Sequence, residues 1–345
     1  MAQVSDLGID LGTSNVLIYQ KGRGIVLRQP AVVAIERVSK KVLAVGTEAY
    51  RMIGRTPGNV LALRPLRQGV VSDFELTNTM LRHFMGMVIG KRIFGRPRVV
   101  MSVPSGVNEA EKSSLISIMF DAGAKRTQLL DRPIAAAMGV GMDFQKPYGC
   151  MVVDMGAGVT DIAVLASGQV IEAASVCYGG DYFDDAIIRY LRKKHNLLIG
   201  ARTAEELKIH IGAARMRGAK LTMNACGRSL VSGLPRAVTV TSDEMIEALD
   251  EPLRDLISAL HRIIERTPPE LASDIFDEGI TLSGGGAQLF GLDEVISDQL
   301  KIRTELADEP QLCVAHGLSA LIDDSERYEN IDLVAGSRSD ILTVD

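Results

Sequence analysis

The chain has 345 residues, of which 46% are hydrophobic and 23% are charged, and it carries a net charge of −5 at pH 7. This length is enough for two domains with cores of their own, and the acidic balance argues against nucleic acid as a partner. The four cysteines have no CxxC spacing, which disfavours a disulfide framework or a structural zinc site. Neither a signal-peptide pattern nor a run of about 18 apolar residues is present, so we expect a cytoplasmic protein.

Apolar runs and helical periodicities alternate along the chain, which predicts an α/β fold. The first part is expected to contain strands at 4–9, 15–19, 25–35, 98–103 and 129–130 and helices at 75–89, 108–121 and from Pro133 onward. The second part is expected to contain strands at 150–153, 160–165 and 280–283 and helices at 184–194, 203–214, 241–266, 313–322 and from Leu292 onward.

Three capping signals predict helix starts at Asn108, Thr203 and Thr241, because each residue is followed three positions later by Glu. Pro252 is expected to interrupt the helix after Thr241, since proline removes a backbone donor. The polar chain after Asp323 is expected to be irregular at its end.

Two short stretches share one pattern, Asp10-Leu-Gly-Thr-Ser-Asn15 and Asp154-Met-Gly-Ala-Gly-Val-Thr160. Each places a carboxylate at the end of an apolar run, followed by a turn rich in glycine and hydroxyl groups. Backbone N–H groups of such a turn can bind phosphate, while the carboxylate holds a hydrated cation. One copy would be weak evidence, because similar turns occur in ordinary hairpins. Two copies predict the two halves of a clamp around a nucleotide.

The order of motifs resembles the superfamily of actin, Hsp70 and sugar kinases. The matching stretches are Asp10-Leu-Gly-Thr13, Val103-Pro-Ser-Gly106, Asp154-Met-Gly-Ala-Gly158 and Gly284-Gly-Gly-Ala287. Within it, the chain is identified as a member of the MreB family of bacterial actins along nearly its whole length. The stretches typical of that family are Gly54-Arg-Thr-Pro-Gly-Asn59, Arg96-Pro-Arg-Val-Val100, Asn196–Glu206 and Arg266-Thr-Pro-Pro-Glu-Leu271.

This resemblance implies an actin-like, two-lobed α/β fold of duplicated RNase H-like domains, with a nucleotide cleft between the lobes. The implied divisions are subdomain IA at 1–32, 75–145 and 313–335, IB at 33–74, IIA at 146–181 and 247–312, IIB at 182–246, and a tail at 336–345. Gly139 and Gly141 lie where the chain would cross between the lobes, either as a hinge or as helix C-caps.

The resemblance also implies ATP and Mg²⁺ as cofactors. Asp10 and Asp154 would hold Mg²⁺ largely through its water shell. The turns after them would bind phosphates through Gly12, Thr13, Ser14, Asn15, Gly156, Ala157, Gly158, Val159 and Thr160. A helix and a glycine-rich loop would contact the rest of the nucleotide through Glu205, Glu206, Leu207, Lys208, Gly284, Gly285, Gly286, Ala287 and Gln288. From the residues alone, Glu205 and Lys208 could equally be an exposed helical ion pair.

One pair of residues departs from the family pattern. MreB proteins usually carry Glu immediately before the proline that starts this helix, and that Glu positions the attacking water, whereas this chain reads Asp131-Arg132-Pro133. A guanidinium accepts neither a proton nor a hydrogen bond, although it could stabilise the γ-phosphate. We therefore expect ATP binding with slow or altered hydrolysis. The alternatives are that Asp131 takes over the role, or that a backbone shift leaves activity intact.

A loop in subdomain IA is the candidate membrane contact, because Ile93 and Phe94 would form an apolar tip. Four basic residues flank the tip: Lys91, Arg92, Arg96 and Arg98. Such cations attract anionic headgroups by about 1 kcal/mol each near the surface. Packing of Ile93 and Phe94 into the core is the alternative. One loop per subunit would bind weakly, so filament multivalency would have to supply avidity.

The implied function is that of an ATP-binding bacterial actin. It would form filaments of paired protofilaments at the inner face of the cell membrane and organise cell-wall synthesis to set rod shape. By resemblance, its partners would be copies of itself and the elongation machinery such as RodZ, MreC and MreD, with no nucleic acid. A small-molecule, sugar-type kinase of the same superfamily is the alternative, although such kinases are generally longer.

Overall fold

A computed structural model of the chain describes residues 6–55, 58–90, 96–328, 331 and 333–337. The elements of the first part are β1 (Leu7–Leu11), β2 (Asn15–Gln20), β3 (Gly24–Pro30), β4 (Val33–Glu36), β5 (Val42–Val45), α1 (Thr47–Met52), β6 (Val60–Leu63), β7 (Leu66–Arg67), β8 (Val70–Val71), α2 (Phe74–Ile89), β9 (Arg98–Val103), α3 (Glu109–Asp121), β10 (Arg126–Asp131) and α4 (Arg132–Gly139). The elements of the second part are β11 (Cys150–Met155), β12 (Thr160–Ala166), β13 (Gln169–Val176), α5 (Gly180–His195), β14 (Leu197–Leu198), α6 (Ala201–Ile211), β15 (Thr222–Ser229), β16 (Pro235–Thr241), α7 (Ser242–Arg266), α8 (Pro269–Glu278), β17 (Ile280–Ser283), α9 (Leu292–Leu300), β18 (Thr304–Leu306), α10 (Cys313–Asp323) and β19 (Val334–Ser337).

Two mixed sheets repeat one strand arrangement. In the first, β1, β2 and β3 form an antiparallel meander, β9 pairs parallel with β1, and β10 pairs parallel with β9. In the second, β11, β12 and β13 form the same meander, with β17 parallel to β11 and β18 parallel to β17. The repetition confirms the predicted α/β fold built from two similar halves.

Each sheet has its own apolar core, and a third core joins the two halves. The first core contains Ile9 and Phe84, and the second contains Phe183 and Leu256. The third lies around α4 and α10, where Leu318 of α10 packs with residues from both sheets: Val100, Leu130, Val152 and Leu165. The two halves therefore meet through buried side chains around this pair of helices.

The contact between α4 and α10 requires glycine at two points. A Cβ on Gly139 would lie 1.8 Å from the carbonyl oxygen of Cys313, and one on Gly317 would lie 1.8 Å from that of Ala135. Gly141 follows α4 with a φ of +73°, which favours glycine because of the clash that a Cβ would make. Gly139 is thus needed for helix packing, while its role as a hinge stays a prediction.

Two three-stranded sheets are inserted into this plan, and β7 and β8 form a separate two-stranded one. Strands β5, β4 and β6 form one together with α1, in the segment between β3 and α2. Strands β14, β15 and β16 form the other, between α5 and α7. No helix in the described ranges is long and apolar enough to cross a membrane.

Two local predictions are wrong. Helix α6 starts at Ala201, because the carbonyl of Gly200 accepts the hydrogen bond from the N–H of Ala204 at 3.1 Å, so Thr203 lies inside its first turn. Helix α7 continues through Pro252, because its apolar face is buried on both sides of the proline and outweighs the lost hydrogen bond. The predicted irregularity at the end of the tail stays a prediction, because 338–345 lie outside the described residues. Earlier in the tail, β19 pairs antiparallel with the edge of β10 and crosses the predicted boundary between 335 and 336.

Candidate functional site

The strands β1 and β11 each carry an aspartate that is bound by a serine of the neighbouring parallel strand. Ser102 on β9 lies opposite Asp10, and its Oγ donates to Asp10 Oδ1 at 2.9 Å. Ser283 on β17 lies opposite Asp154, and its Oγ donates to Asp154 Oδ1 at 2.8 Å. Each serine therefore bonds Oδ1 of its aspartate and not Oδ2. Sequence patterns alone do not identify the serines, although each stands out as a polar residue in an apolar strand.

The turns after these aspartates close in the same way and touch each other. The N–H of Gly12 donates to the carbonyl of Asn15 at 3.0 Å, and that of Gly156 donates to the carbonyl of Val159 at 2.9 Å. A Cβ on Gly158 would lie 2.5 Å from Thr13 Oγ1, so only glycine permits this approach. The structure therefore brings the two predicted phosphate-binding turns together from opposite halves.

Three of the predicted nucleotide-binding side chains face the protein interior. Thr160 is fully buried, and its hydroxyl donates to the carbonyl of Tyr178 at 3.0 Å. Leu207 and Ala287 belong to the apolar core of the second half. These residues can contact a nucleotide only through their backbone.

The helices α5 and α6 hold Lys208 and Glu205 in separate contacts. Lys208 Nζ donates to the carbonyl of Gly180 at 2.8 Å and lies 2.9 Å from Asp184 Oδ1. Burial raises the pKa of Asp184 to about 7, and Lys208 opposes this shift. Glu205 accepts a hydrogen bond from the hydroxyl of Tyr50 at 3.1 Å. The two residues therefore do not form the helical ion pair that was the alternative interpretation.

Neighbouring contacts bridge the two inserted segments. Arg64 Nη1 lies 2.9 Å from Asp181 Oδ1, which ties the segment before α2 to the start of α5. The bond from Tyr50 to Glu205 ties α1 to α6 in the same way. Glu206 instead pairs with Arg202 on its own helix at 3.0 Å. The two bridging contacts therefore join the first half of the molecule to the second.

The third glycine-rich loop packs against the end of β11. Gly284 has a φ of +84°, and a Cβ there would lie 2.4 Å from the carbonyl oxygen of Met155. A Cβ on Gly286 would lie 2.6 Å from Met155 Cγ. The packing of the protein itself thus requires glycine at both positions. Gly285 is exposed, and Gln288 accepts a hydrogen bond from Gln311 at 2.8 Å.

Arg132 lies buried between the two aspartates and is only 5% exposed. Its Nη1 lies 3.3 Å from Asp161 Oδ2, its Nη2 donates to the carbonyl of Leu11 at 3.0 Å, and its Nε lies 3.8 Å from Asp10 Oδ1. Burial alone would lower the pKa of Arg132, but the carboxylates of Asp161, Asp10 and Asp154 raise it overall. Arg132 is therefore a permanent cation inside the site.

The carboxylates around Arg132 are buried as well. Burial raises the pKa of Asp154 to about 7, although the charge of Arg132 and the bond from Ser283 oppose the shift. Burial also raises the pKa of Asp161, which accepts a hydrogen bond from the N–H of Ser105 at 3.1 Å. Asp161 is thus a functional candidate that motif reading misses, and its only sequence signal is a charge inside the apolar strand β12.

Asp131 is the N-cap residue of α4, but its side chain makes no capping hydrogen bond. Burial raises its pKa, Lys112 lowers it, and Asp161 raises it. The structure gives no contact that would direct Asp131 towards the turns in the described part of the chain.

Comparison with known proteins decides the family. The profile described as MreB/Mbl protein matches residues 4–330. The chain belongs to the MreB/Mbl family. It is 44% identical over 322 residues to the cell shape-determining protein Mbl of Bacillus subtilis, covering 93% of this chain and 97% of the relative. It is also 44% identical over 318 residues to the cell shape-determining protein MreB of Escherichia coli, covering 91% of this chain and 92% of the relative.

Solved structures confirm the actin-like fold of this MreB/Mbl protein. MreB5 of Spiroplasma citri bound to ADP superimposes with a TM-score of 0.90 at 32% identity, covering 94% of this chain and 98% of that one. The same protein bound to AMPPNP gives a TM-score of 0.91, covering 95% of this chain and 98% of that one.

The two aspartates of this MreB/Mbl protein fit Mg²⁺ that is also bound by water and by phosphate oxygens. Within the described ranges, no three His, Cys, Asp or Glu side chains are grouped so that they could hold a metal ion by themselves. Mg²⁺ commonly binds through one or two carboxylates, several waters and phosphate oxygens. Asp10 and Asp154 therefore fit a metal that arrives with a nucleotide. The predicted membrane residues Ile93 and Phe94 lie outside the described residues, in the segment between α2 and β9.

Proposed function

We propose that this MreB/Mbl protein binds ATP with Mg²⁺ between its two halves and assembles into filaments that determine cell shape. The observation that carries the proposal is the pair of facing turns, each following an aspartate bound by a serine. Its relatives support it, since two of them are named as cell shape-determining proteins and MreB5 of Spiroplasma citri binds ADP and AMPPNP. Membership in the family favours this function over a small-molecule kinase.

In this proposal, Asp10 and Asp154 hold the hydrated Mg²⁺ that neutralises the phosphates. The turn residues Thr13, Ser14, Asn15, Ala157, Gly158 and Val159 offer backbone N–H groups to the phosphate oxygens. Glu205 and Lys208 face the adenosine from α6. The subdomain divisions predicted from the resemblance then describe the four parts around the cleft.

A nucleotide-binding and sedimentation experiment tests this function. We expect ATP to bind and to drive sedimentable filaments, while Asp154→Asn weakens ATP binding in Mg²⁺ by at least about tenfold, as expected for loss of a charged ligand. Asp143→Asn, which changes an aspartate in an exposed ion pair with Lys146, should behave as wild type. An ATP-analogue complex with its triphosphate away from Asp10 and Asp154 would contradict the proposal.

Slow hydrolysis belongs to the same proposal, because Arg132 stands where the family's water-positioning Glu is expected. Its guanidinium has no acceptor for a water proton, and Asp161 and Leu11 hold it in place. Single-turnover phosphate release should be slower for the wild type than for Arg132→Glu, with bound ATP measured in both. Equal rates would mean that the cation at 132 does not limit hydrolysis.

Membrane attachment at the inner face is proposed for the segment that contains Ile93 and Phe94. The segment joins α2 to β9, and its flanking basic residues suit anionic lipid. Filaments of the double variant Ile93→Ser/Phe94→Ser should lose most of their co-sedimentation with anionic vesicles. Unchanged co-sedimentation would exclude this segment. RodZ, MreC and MreD remain the proposed protein partners.

A further inference from the structure

Two side chains of the first half reach carboxylates of the second half: Tyr50 contacts Glu205, and Arg64 contacts Asp181. Resting on the nucleotide function proposed above, we propose that these two contacts form a latch that slows the exchange of bound nucleotide. The latch sets how fast ATP enters and leaves the site between the halves, and it changes the affinity for ATP little.

Both donors of the latch belong to one small unit of the first half, formed by β4, β5, α1 and β6. Tyr50 lies on α1 and packs on the apolar cluster that contains Ala49. Arg64 directly follows β6, whose residue Ala62 packs on the same cluster. Because this unit has a core of its own, we expect both contacts to break together when it moves away from the second half.

Both acceptors of the latch are connected to the predicted nucleotide site. Glu205 is predicted to contact the adenosine, and its Oε2 accepts the hydrogen bond from Tyr50 at 3.1 Å. Asp181 lies in the first turn of α5, where its N–H donates to the carbonyl of Ala157 at 2.8 Å. Ala157 belongs to the second predicted phosphate-binding turn. Each contact therefore ends on a residue that borders the proposed nucleotide.

The chain that follows Arg64 lies against both phosphate-binding turns. The N–H of Gly69 donates to Thr13 Oγ1 of the first turn at 3.2 Å. A Cβ on Gly69 would lie 3.0 Å from Val159 Cγ2 of the second turn. A ligand held by two halves leaves when the halves separate, and separation at this point pulls Arg64 away from Asp181.

Each contact of the latch is of modest strength. Burial and the neighbouring Glu205 raise the pKa of Tyr50 above its usual value, so its hydroxyl keeps the proton that it donates. The side chains of Arg64 and Asp181 are 24% and 42% exposed, and ion pairs of this kind contribute little. We therefore expect each contact to change exchange rates by about two- to fivefold.

A latch has a kinetic signature that differs from that of a ligand contact. Removing a group that binds the nucleotide increases the dissociation rate and Kd together. Neither Arg64 nor the hydroxyl of Tyr50 is predicted to touch the nucleotide, so their contacts form in the same way with and without it. Removing them makes opening easier in both cases, which increases the association and dissociation rates and leaves Kd nearly the same.

The test combines stopped-flow kinetics of a fluorescent ATP analogue with calorimetry of ATP, both in Mg²⁺. The variants are Tyr50→Phe and Arg64→Met, which each delete one contact and keep most of the side chain. In each variant both rates should rise by about two- to fivefold, and in the double variant by roughly tenfold, while Kd changes by less than about twofold.

Matched controls delete similar contacts that lie entirely within the second half. Tyr182→Phe removes a hydroxyl that donates to Asp255 at 2.7 Å, and Arg266→Met removes an arginine that lies 3.4 Å from Glu172. Both controls should exchange nucleotide at the rate of the wild type. Equal acceleration in the controls would mean that general loosening of the fold, and not the latch, sets the rate, and would overturn the inference.

Asp181→Asn weakens one latch contact from the other side. It should accelerate exchange as much as Arg64→Met and add nothing to it in the double variant, whereas additive effects would show that the two residues act separately and would overturn the latch.

Two further results would overturn the latch and leave the proposed function standing. One is unchanged rates in Tyr50→Phe/Arg64→Met, and the other is a dissociation rate that rises with Kd while the association rate stays the same. Absence of ATP binding by the wild type would overturn the proposed function and this inference together.

Discussion

The two hairpins that carry Asp10 and Asp154 have the same backbone but different neighbours. Across the hairpin, the register places Leu17 beside Asp10 and Asp161 beside Asp154. Residues opposite each other in this way share one face of the sheet. The aspartate, its serine and the closing bond of the turn are repeated, whereas the extra carboxylate is found in the second hairpin alone. The backbone geometry is therefore the same in both hairpins, while the surrounding charge differs.

The turns differ as well, and the difference makes them complementary. The first turn presents Thr13 and Ser14, which have hydroxyl groups, while the second presents Ala157 and Gly158, which have little or no side chain. Thr13 fits against Gly158 and also accepts a hydrogen bond from the N–H of Gly69 at 3.2 Å. Two identical turns with side chains could not approach so closely. The two turns can therefore meet closely only because one carries side chains and the other carries almost none.

Introducing the extra carboxylate of the second hairpin at the equivalent position of the first should have the largest effect on stability. Leu17→Asp places a carboxylate beside Asp10 in a buried position, and Arg132 is already engaged with Asp161. We expect the free energy of unfolding to fall by roughly 3–5 kcal/mol, as for a buried charge without a partner. Urea unfolding measures the change, with Leu17→Met as the control for size. An undiminished stability would show that Arg132 can serve both hairpins.

The buried carboxylate of the second hairpin predicts how stability without nucleotide varies with pH. Asp154 has a pKa near 7 in the folded protein because of burial, compared with 3.8 for an ordinary aspartate. Between these values the folded state binds more protons than the unfolded state, so the free energy of unfolding decreases as the pH rises. Each pKa unit corresponds to about 1.4 kcal/mol, so the full decrease is up to about 4 kcal/mol.

Unfolding curves at several pH values between about 4 and 8 test this dependence. Asp184 shifts in the same direction, so Asp154→Asn should reduce the slope without abolishing it. An identical slope in the wild type and in Asp154→Asn would mean that Asp154 stays ionised in the folded protein.

The repeated strands and helix starts were largely predictable, because they depend on local patterns. The apolar run 98–103 coincides with β9, and the capping boxes at Asn108 and Thr241 are confirmed with both reciprocal hydrogen bonds. The predictions that are wrong depend on packing. Helix α7 passes Pro252 because its apolar face is buried. Strand β19, which the sequence analysis does not predict, exists because the edge of β10 is available for pairing.

The sequence predicts the two aspartates of the candidate site and the turns after them, but not the residues that contact them from other strands. The motifs indicate Asp10 and Asp154 because each lies at a strand end before a glycine turn. They do not indicate Ser102 or Ser283, because these contacts depend on the register of strands that are distant in the chain. The substitution at 132 is visible in the sequence, but its partner Asp161 becomes evident only when β12 is folded beside α4.

Removing each serine should give the smallest effects and the most direct comparison of the hairpins. Ser102→Ala and Ser283→Ala each delete one hydrogen bond to a carboxylate, with an expected loss of about 1 kcal/mol in ATP binding or in stability. The loss should be larger for Ser283→Ala, because Asp154 is buried whereas Asp10 is only half-buried. When a carboxylate is accessible to solvent, a water molecule can donate the hydrogen bond that the serine no longer makes. Calorimetry with ATP in Mg²⁺ and urea unfolding of both variants measure the difference, and Ser319→Ala, whose hydroxyl bonds a helix carbonyl, is the control. A larger loss for Ser102→Ala would mean that Asp10, beside the apolar Leu17, depends more on its serine hydrogen bond than Asp154 does.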